Sequence, residues 1–358
     1  MKKLLFITNS FGMGGAEKVL LDIVKTQNMK FEIHVLTFKD DGPLKQDMHH
    51  ACKVFTLFSS NIHYLIFRKF KFYRKNLIND VISRNGYDKV IGFMEGKSTD
   101  LVTDIDVNIL KIAWIHNDFR KLGMLGNDDE MYRVYSKIDK IVYVSNAARE
   151  AFLERFPLIR SKNQVIYNLI DEKAITHKSL QKPIINNVFT FLNVGMLRKQ
   201  KCQDRLIRIA SKLKKLNYKF NIQIIGDGPL KIYLNDLINE LDVGDKVVML
   251  GLKENPYQYI KNCDCFVLSS AYEGYSIVVK EALFLKKLIL TTDVVGPREI
   301  LSNGKYGLIV KNDEESLFEK MKEILESGGI YTTIIESMKK YRTDNDVISS
   351  QLFDLFDE

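Results

Sequence analysis

Short apolar runs alternate with stretches of helical periodicity along almost the whole chain, and this alternation limits the possible folds more than any other feature. Strands that are separated by helices pair in parallel, since each helix carries the chain back along the sheet before the next strand begins. In the first half the apolar runs lie at residues 4–8, 31–37, 89–93, 109–115, 140–144 and 164–166. We therefore predict a parallel β-sheet flanked by helices in this half.

The alternation lapses once and then restarts, which indicates that the plan is repeated in a second domain. Residues 171–187 are polar, and the later apolar runs lie at residues 188–194, 221–225, 246–250, 265–268, 288–291 and 307–310. We predict two doubly wound α/β domains, 1–170 and 188–335, joined by a linker at 171–187 and facing each other across a cleft. Residues 336–358 are predicted to form a helical tail that packs back on the first domain.

The composition is that of a folded protein with an affinity for anions. Of the 358 residues, 46% are hydrophobic and 27% are charged, which excludes disordered and collagen-like chains. Lysine and arginine outnumber aspartate and glutamate by 53 to 45, so we expect attraction to nucleic acid, acidic membranes or phosphorylated small molecules. No RNA-recognition or helix-turn-helix pattern accompanies the charge, and we therefore predict no nucleic-acid partner.

The cysteines and the N-terminal residues predict a cytoplasmic chain that holds no metal. The four cysteines lack the spacing of zinc ligands, so we expect reduced thiols. The first apolar run is about five residues long, shorter than the roughly 7 to 15 residues of a signal peptide. The longest uncharged stretch, 54–67, falls short of the roughly 20 apolar residues of a membrane span.

Two glycine-rich turns follow predicted strands, where doubly wound domains bind their ligands. Gly14 and Gly15 come just before an apolar helix, and glycines there let main-chain amides approach an anion at the helix N-terminus. Gly226 lies in the turn Ile225-Gly-Asp-Gly-Pro229 after a strand of the second domain. A tight turn explains these glycines as well as a phosphate site does, so both interpretations stay open here.

The segment after the predicted strand 265–268 has the strongest pattern of a ligand site. Ser276 is in position to cap a helix that begins at the next residue. The main-chain amides that would then form an anion seat are those of Gly274, Tyr275, Ser276 and Ile277. A diphosphate is the class of ligand that such a seat fits.

Two glutamates flank this predicted anion seat. Glu281 lies five residues into the helix, about 7.5 Å along its axis, which is roughly the step from a nucleotide's diphosphate to its ribose. A carboxylate at that position can accept hydrogen bonds from both hydroxyls of a ribose. Glu273 precedes the helix, on the side where the transferred group of an activated donor would lie. The alternative, that both glutamates are surface charges, stays open on sequence alone.

Cationic and histidine side chains follow two other strands. Arg198 and Lys201 come after the first strand of the second domain, and two fixed cations plus a helix N-terminus can replace a divalent metal when a diphosphate leaves. His116 directly follows the predicted strand 109–115, so we predict that it donates a hydrogen bond to a sugar hydroxyl or a phosphate. Solvated cations and a structural histidine are the alternatives.

Together these segments resemble the family-4 retaining glycosyltransferases of GT-B architecture, of the bacterial capsule and surface polysaccharide type. The likeness runs from Gly14 to about Asp313 and is most specific in Glu273-Gly-Tyr-Ser-Ile-Val-Val-Lys-Glu281, which is followed by Gly296-Pro-Arg-Glu299. The resemblance implies two Rossmann-like domains facing a central cleft, with the acceptor side in the first and the nucleotide sugar in the second.

The resemblance also implies roles for individual residues. By that likeness, Glu281 holds the donor ribose, while Glu273 and the amides after it hold the donor sugar. Lys201 binds the diphosphate, and His116 contacts the sugar from the first domain. Leu252 offers its main chain to the base.

The family implies an enzyme that transfers a sugar from a nucleotide sugar, here predicted to be UDP-linked, with retention at the anomeric carbon and without a metal or other cofactor. The implied acceptor is a glycan or a lipid-linked saccharide of cell-surface polysaccharide synthesis. Two positions depart from the family pattern: Met196 stands where the family often has arginine, and Cys202 stands where it has glycine. Arg198 is the candidate to supply the missing charge.

Three other functions stay open at this point. Asp104-Ile-Asp106 offers the residues of a metal-dependent GT-A transferase, although its context indicates a helix end or a turn. A sugar-nucleotide epimerase binds the same donor but transfers nothing to an acceptor. A non-catalytic partner subunit would keep the fold, and Met196 is the feature that favours it.

A basic and aromatic segment at residues 67–75 is the candidate for membrane contact. We call Arg68, Lys71, Phe72 and Lys75 the basic patch, and we predict that it docks on anionic lipid at the inner face of the plasma membrane. The alternative is a core helix with a solvated basic side.

Overall fold

The computed structural model describes residues 1–12, 14–57, 71–120, 127–159, 161–327 and 331–358, with the main chain alone for residues 71–74. These residues divide into two compact units. The first unit consists of Met1–Leu169 and Asp344–Glu358, and the second consists of Ile170–Thr343.

The strands described in the first unit form one parallel sheet. They are β1 Lys3–Thr8, β2 Glu32–Thr37, β3 Lys53–Thr56, β4 Lys89–Gly92, β5 Leu110–Ile115, β6 Lys140–Tyr143 and β7 Lys162–Val165. Their order is β3-β2-β1-β4-β5-β6-β7, so the direction of winding reverses between β1 and β4. Strand β3 is absent from the sequence prediction, because its four residues are exposed or half-buried and form no continuous apolar run.

Helices connect these strands. They are α1 Gly15–Gln27, α2 Lys45–Ala51, α3 Lys71–Asn85, α4 Lys97–Thr103, α5 Asp128–Tyr135 and α6 Asn146–Arg155. Asn127 caps α5 and Ser145 caps α6, each through a side-chain oxygen that accepts a hydrogen bond from the main-chain amide three residues further on.

The second unit repeats this plan. Its strands are β8 Phe189–Val194, β9 Phe220–Ile225, β10 Val247–Gly251, β11 Cys265–Leu268, β12 Leu288–Thr292 and β13 Leu308–Val310. They pair in parallel in the order β10-β9-β8-β11-β12-β13, and the winding reverses between β8 and β11. The prediction of two Rossmann-like parallel sheets is confirmed.

The helices of the second unit lie between and after these strands. They are α7 Glu172–Ser179, α8 Gln203–Lys215, α9 Lys231–Glu240, α10 Tyr257–Asn262, α11 Ile277–Phe284, α12 Val295–Ile300, α13 Glu314–Glu326 and α14 Thr332–Lys340. A 3-10 turn, Lys199–Lys201, precedes α8. Phe191 on β8 and Phe266 on β11 are fully buried, as expected of central strands in a parallel sheet that is covered on both faces.

Residues 171–187, predicted as a linker, include helix α7 and belong to the second unit. Asp171 caps this helix by accepting a hydrogen bond from a main-chain amide at 2.9 Å. Ile175 is buried, and Asn255 donates a side-chain hydrogen bond to the carbonyl of Lys178 at 2.8 Å. A helix of two turns with few buried apolar residues has too weak a periodic pattern to be recognised within a polar sequence.

Residues 336–358, predicted as one tail, are divided between the units. Helix α14 belongs to the second unit, whereas helix α15, Asn345–Asp357, belongs to the first. Phe356 on α15 is fully buried, and its ring contacts those of Phe6 and Phe31 at centroid distances of 5.8 and 5.5 Å. The last helix therefore contributes apolar side chains to the core of the first unit.

Three lysines of the first unit surround the C-terminal end of α15. Lys89 is buried and donates a hydrogen bond to the carbonyl oxygen of Leu355 at 2.6 Å. Lys2 donates a hydrogen bond to the carbonyl of Asp357, and Lys140 pairs with the side chain of the last residue. Positive charge stabilises this end of the helix, because the unpaired carbonyl groups carry the negative end of the helix dipole.

Substitution of Lys89 with Met is expected to change how the stability of the first unit depends on pH. Burial, followed by repulsion from Lys2 and Lys140, lowers the pKa of Lys89 from 10.5 to about 8. Between these pH values the unfolded chain keeps the proton that the folded chain has released. The free energy of unfolding therefore rises with pH in this interval, by at most about 1.4 kcal/mol per pH unit, and Lys89→Met removes this rise.

Urea unfolding at about pH 8 and about pH 10 measures this effect. Trp114 is the single tryptophan of the chain and is buried in the first unit, so its fluorescence reports the unfolding of that unit. Between these two pH values, the free energy of unfolding should rise more in the parent than in Lys89→Met. The exposed Lys137 supplies a control, since Lys137→Met should keep the parent's pH dependence. The same trend in the parent and in Lys89→Met would contradict the prediction.

Candidate active site

The loops after β8 and β11 lie side by side in the second unit, because these two strands pair at the point where the winding reverses. Hydrogen bonds join the two loops. Ser269 Oγ donates to the carbonyl of Lys201 at 2.8 Å. The amide of Ala271 donates to the carbonyl of Gln200 at 2.8 Å, and Gln200 Nε2 donates to the carbonyl of Tyr272 at 2.9 Å. The positions of these loops are therefore coupled.

Lys201 and Glu273 form a largely buried ion pair between the two loops. Lys201 Nζ lies 2.6 Å from Glu273 Oε1, and the exposed fractions of the two side chains are 20% and 7%. Ser270 Oγ donates to the same carboxylate oxygen at 2.6 Å. Both contacts use Oε1, and Oε2 takes part in neither. The fold thus brings together two predicted catalytic residues that are 72 positions apart in the sequence.

Glycines allow the turn after β9 to approach the loop after β8. Gly226 has a positive φ of 153°, and a Cβ atom on it would lie 2.0 Å from the carbonyl oxygen of Gly195. A Cβ atom on Gly228 would lie 2.6 Å from the carbonyl oxygen of Leu197. Gly226 therefore has a packing role next to the loop that carries Lys201, and its contact with the donor stays a prediction.

Ser276 is the N-cap residue of α11, but its side chain makes no capping hydrogen bond, which corrects the expectation of a side-chain cap. The residue is 3% exposed, and its Oγ has no hydrogen-bond partner among the residues that the structure describes. The hydroxyl is therefore left for another partner, whereas the amides of Val279 and Lys280 already donate to the carbonyl of Ser276 at 3.1 and 3.3 Å. Gly274 and Ile277 are buried beside it, and Tyr275 is half-buried.

Glu281 is buried within the second unit, with 3% of the residue exposed. Tyr257 Oη on α10 donates a hydrogen bond to Glu281 Oε1 at 3.1 Å. Because Glu273 is also buried, at 6% exposed, the alternative that both glutamates are surface charges is wrong. The contact with Tyr257 has no signal in the sequence, since the two residues lie on different helices and only packing joins them.

Two other predicted donor contacts lie at exposed positions of the second unit. Arg198 is exposed and directly precedes the 3-10 turn that carries Lys201. Leu252 is 48% exposed and follows Gly251, whose carbonyl accepts a hydrogen bond from the amide of Gly226 at 3.0 Å. The family often has an arginine at the position of Met196. That Arg198 supplies this missing charge stays a prediction.

In the first unit, Gly14 and Gly15 lie at the N-terminus of α1. A Cβ atom on Gly14 would lie 2.2 Å from Glu17 Oε2, so the Glu17 carboxylate packs against this glycine. A carboxylate in the first turn of a helix is stabilised by the helix dipole. Because Glu17 Oε2 is the far end of a flexible side chain, the contact alone does not require glycine here, and a phosphate at this turn stays a prediction.

The imidazole of His116 follows β5 and is held by Phe93. One ring nitrogen bonds to the Phe93 main chain, and the two rings meet edge-on with centroids 4.8 Å apart. Nε2 is buried and has no partner within the described part of the chain, so the bonded atom is Nδ1. Burial lowers the pKa of His116 to about 4 and keeps the ring neutral. A neutral ring with its proton on Nδ1 accepts hydrogen bonds at Nε2, and the donor role predicted for His116 stays a prediction.

Glu95 is a functional candidate that the sequence analysis did not identify. It follows β4, is buried, and accepts hydrogen bonds from the main chain of His116 and Asn117. Burial raises the pKa of Glu95, and these hydrogen bonds oppose the rise. The available signal was its place after an apolar run, at the sheet edge where doubly wound domains bind ligands.

The Asp104-Ile-Asp106 segment has separate structural contacts. Asp104 is the C-cap residue of α4, as its context indicates, and Asp106 pairs with Lys75 at 2.8 Å. The described residues contain no group of three or more histidine, cysteine, aspartate or glutamate side chains arranged to hold a metal.

Most of the basic patch falls outside the described residues. Arg68 is not among them, and the side chains of Lys71 and Phe72 on α3 are not described. The side chain of Lys75 is 41% exposed. Its membrane contact stays a prediction. In the ranges that the structure covers, no helix is long and apolar enough to cross a bilayer.

Known families match both halves of the chain. The family described as Glycosyltransferase Family 4 matches residues 13–174, and the family described as Glycosyl transferases group 1 matches residues 176–341. Together the two matches span every candidate residue of both units, including the basic patch.

Curated relatives and solved structures extend the likeness over the whole chain. The chain is 30% identical to the N-acetylgalactosamine-N,N'-diacetylbacillosaminyl-diphospho-undecaprenol 4-alpha-N-acetylgalactosaminyltransferase of Campylobacter jejuni, over 91% of each protein. It is 25% identical to the capsular polysaccharide biosynthesis glycosyltransferase CapH of Staphylococcus aureus, over 84% of each. The structure of Anabaena HepE in complex with UDP and glucose matches all of both chains with a TM-score of 0.78 at 18% identity. This likeness confirms the predicted fold class.

Proposed function

Because the chain belongs to the glycosyltransferases of family 4 and group 1, we propose that it transfers a sugar from a UDP-sugar to a lipid-linked saccharide with retention at the anomeric carbon. One observation carries this proposal: a cation, an open hydroxyl and two buried carboxylates lie on the two loops at the winding reversal of the second unit and on the helix that follows. They are Lys201, Ser276, Glu273 and Glu281.

In this proposal the donor extends along α11. The diphosphate accepts hydrogen bonds from the first amides of the helix and from Ser276 Oγ, whose lack of a partner supports this role. Glu281 accepts hydrogen bonds from the ribose hydroxyls, and Tyr257 fixes its carboxylate. Glu273 holds a hydroxyl of the transferred sugar through Oε2, since Lys201 and Ser270 use Oε1.

The proposed reaction takes place on one face of the sugar. The acceptor hydroxyl attacks the anomeric carbon from the side on which the diphosphate leaves. The bond between that carbon and the phosphate oxygen breaks, the new carbon–oxygen bond forms, and the hydroxyl proton passes to the departing phosphate oxygen. Lys201, Arg198 and the dipole of α11 stabilise the charge that collects on this oxygen, and we propose that these groups make a metal unnecessary.

The names of two relatives support the acceptor class. The C. jejuni protein is named for a saccharide on diphospho-undecaprenol as acceptor and for a 4-alpha linkage. An alpha product is what retention yields from an alpha-linked nucleotide sugar. CapH is named for capsular polysaccharide biosynthesis. By analogy we propose that this chain extends a polyprenyl diphosphate-linked saccharide in the synthesis of a surface glycan.

A lipid-linked acceptor would lie at a membrane surface, so we also propose that the basic patch binds anionic lipid. Co-sedimentation with vesicles of phosphatidylglycerol and phosphatidylcholine tests this contact. Binding should rise with the anionic fraction and fall when Arg68, Lys71 and Lys75 are each replaced with Glu. Binding that is indifferent to both changes would refute it.

The transfer itself is tested with the purified full chain in the presence of EDTA. Radiolabelled UDP-N-acetylgalactosamine, UDP-N-acetylglucosamine, UDP-galactose and UDP-glucose are each offered with a polyprenyl diphosphate-linked saccharide. We expect label in the lipid fraction with one of them, and a product whose new linkage is alpha by NMR. A strict requirement for magnesium or manganese would overturn the proposed catalysis by protein cations, and a beta linkage would overturn retention.

The same assay separates the two alternatives that share this fold. An epimerase would convert the UDP-sugar into its epimer without an acceptor. A non-catalytic subunit would bind the UDP-sugar, lose that binding in Glu281→Ala, and turn over no acceptor.

A further inference from the structure

The buried carboxylate of Glu95 joins the ends of two neighbouring strands in the first unit. Glu95 follows β4, and β5, which pairs with β4, ends at Ile115. Glu95 Oε1 accepts hydrogen bonds from the main-chain amides of His116 at 2.6 Å and of Asn117 at 2.7 Å. Its Oε2 accepts a third, from Asn117 Nδ2 at 3.0 Å. All three bonds go to the first two residues after β5.

This arrangement determines where the His116 ring lies. The main chain of His116 is held by a short hydrogen bond, since its amide donates to the buried Glu95 Oε1 at 2.6 Å. Phe93 lies two residues before Glu95 and is anchored in turn by its amide, which donates to the carbonyl of Ile7 on β1 at 2.9 Å. The ring and the Phe93 carbonyl that receives Nδ1–H are therefore both fixed relative to the sheet.

The open nitrogen of this ring selects its partner by hydrogen-bond polarity. Nε2 of a neutral imidazole with its proton on Nδ1 presents a lone pair and no hydrogen. A phosphate oxygen also presents lone pairs, so the two groups cannot hydrogen-bond to each other. A sugar hydroxyl can donate its hydrogen to Nε2. The geometry therefore favours a hydroxyl over a phosphate at this position.

We propose that Glu95 is a positioning residue of the transfer reaction, which holds His116 with Nδ1–H on the Phe93 carbonyl and with Nε2 as the acceptor for a hydroxyl of the transferred sugar. This inference rests on the proposed function for the role of the sugar, whereas the state of the ring is a property of the free protein. The two parts are therefore tested by separate measurements.

Nitrogen-15 NMR of the imidazole rings tests the state of His116 without any substrate. The spectra of the free full chain are compared with those of His116→Gln, which identifies the signals of this ring. We expect the Nδ1–H tautomer in the parent and a mixture of tautomers in Glu95→Ala. Glu95→Gln should restore the parent tautomer, because one amide oxygen can still accept from both main-chain amides. The exposed Glu154 supplies the charge control Glu154→Ala, which should leave the spectrum unchanged.

A double-mutant cycle with His116→Ala tests the action of Glu95 through the ring. Misplacement of a positioned group lowers turnover by on the order of 10- to 100-fold, so we expect such a loss of kcat in Glu95→Ala and in His116→Ala. If Glu95 acts through His116, the kcat of the double variant should be no more than about threefold below that of the less active single variant. The dissociation constant of UDP should stay within about twofold of the parent, since the proposed nucleotide contacts lie in the second unit.

Each outcome decides one part of the inference. An Nε2–H tautomer in the parent, or an unchanged tautomer in Glu95→Ala, would overturn it whatever the activity. Losses that multiply in the double variant would show that Glu95 acts independently of His116 and would also overturn it. If the parent turns over no nucleotide sugar, the proposed function fails, and the NMR comparison still decides whether Glu95 holds the ring.

Discussion

Substitution of Lys201 with Met should lower kcat by about 100- to 1,000-fold, which corresponds to about 2.7 to 4 kcal/mol of transition-state stabilisation. Lys201 is the cation that lies 2.6 Å from Glu273, and its side chain is 20% exposed. A charge in such a site acts through a lower effective dielectric than a charge in water. Met has a similar length and no charge, so the variant removes the ammonium group with little change in volume.

Steady-state transfer with the donor identified in the transfer assay measures this effect. Lys199→Met is the matched control, because it removes an exposed lysine from the same 3-10 turn and should keep the parent's kcat. Arg198→Met tests whether Arg198 shares the role. Thermal unfolding of Lys201→Met reports whether the loop keeps its structure once Glu273 has lost its cation. Parental kcat in a folded Lys201→Met would remove Lys201 from the proposed reaction.

Substitution of Glu281 with Ala should weaken binding of the UDP-sugar by on the order of 100-fold and lower kcat much less. Hydrogen bonds to a charged group contribute about 1.5 to 3 kcal/mol, and the proposed contact uses both ribose hydroxyls. These contacts are made equally in the ground state and in the transition state. Their loss should therefore appear in the dissociation constant and in KM.

Isothermal titration with UDP and with the UDP-sugar measures this loss. Tyr257→Phe removes the hydrogen bond at 3.1 Å while the Glu281 carboxylate remains, so we expect the affinity for the UDP-sugar to fall by only about 2- to 10-fold. Glu240→Ala removes an exposed carboxylate from the same unit and should leave the affinity for UDP and for the UDP-sugar unchanged. Unchanged affinity for UDP in Glu281→Ala would contradict the proposed orientation of the donor.

The fold was largely predictable because parallel strands that are buried on both faces appear as continuous apolar runs. The central strands β1, β4, β8 and β11 were found in this way, and their positions agree with the structure within about two residues. The edge strand β3 was missed, since half of an edge strand faces solvent and the apolar run breaks up. Helix α7 was mistaken for a linker for a similar reason, because most of its surface is polar.

The candidate site was predictable only in part. Glu273, Lys201 and His116 were recognised because each lies in a loop after a strand, and Glu281 was recognised by its distance along the helix that follows one. Their partners were not recognised. Ser270, Tyr257, Glu95 and Phe93 act through contacts between elements that are far apart in the sequence, and no periodicity or spacing encodes such contacts.

Sequence alone determined the two sheets, the family, and the residues that follow the strands, because burial of apolar side chains and the turn at a strand end are local properties of the chain. Tertiary structure alone decided the Lys201–Glu273 ion pair, the partner of Glu281, and the contact of the His116 ring with Phe93. These depend on which strands become neighbours where the winding reverses, and on which polar groups lose water there. A buried carboxylate or imidazole takes its charge and its hydrogen-bond direction from its neighbours, and only the folded chain provides them.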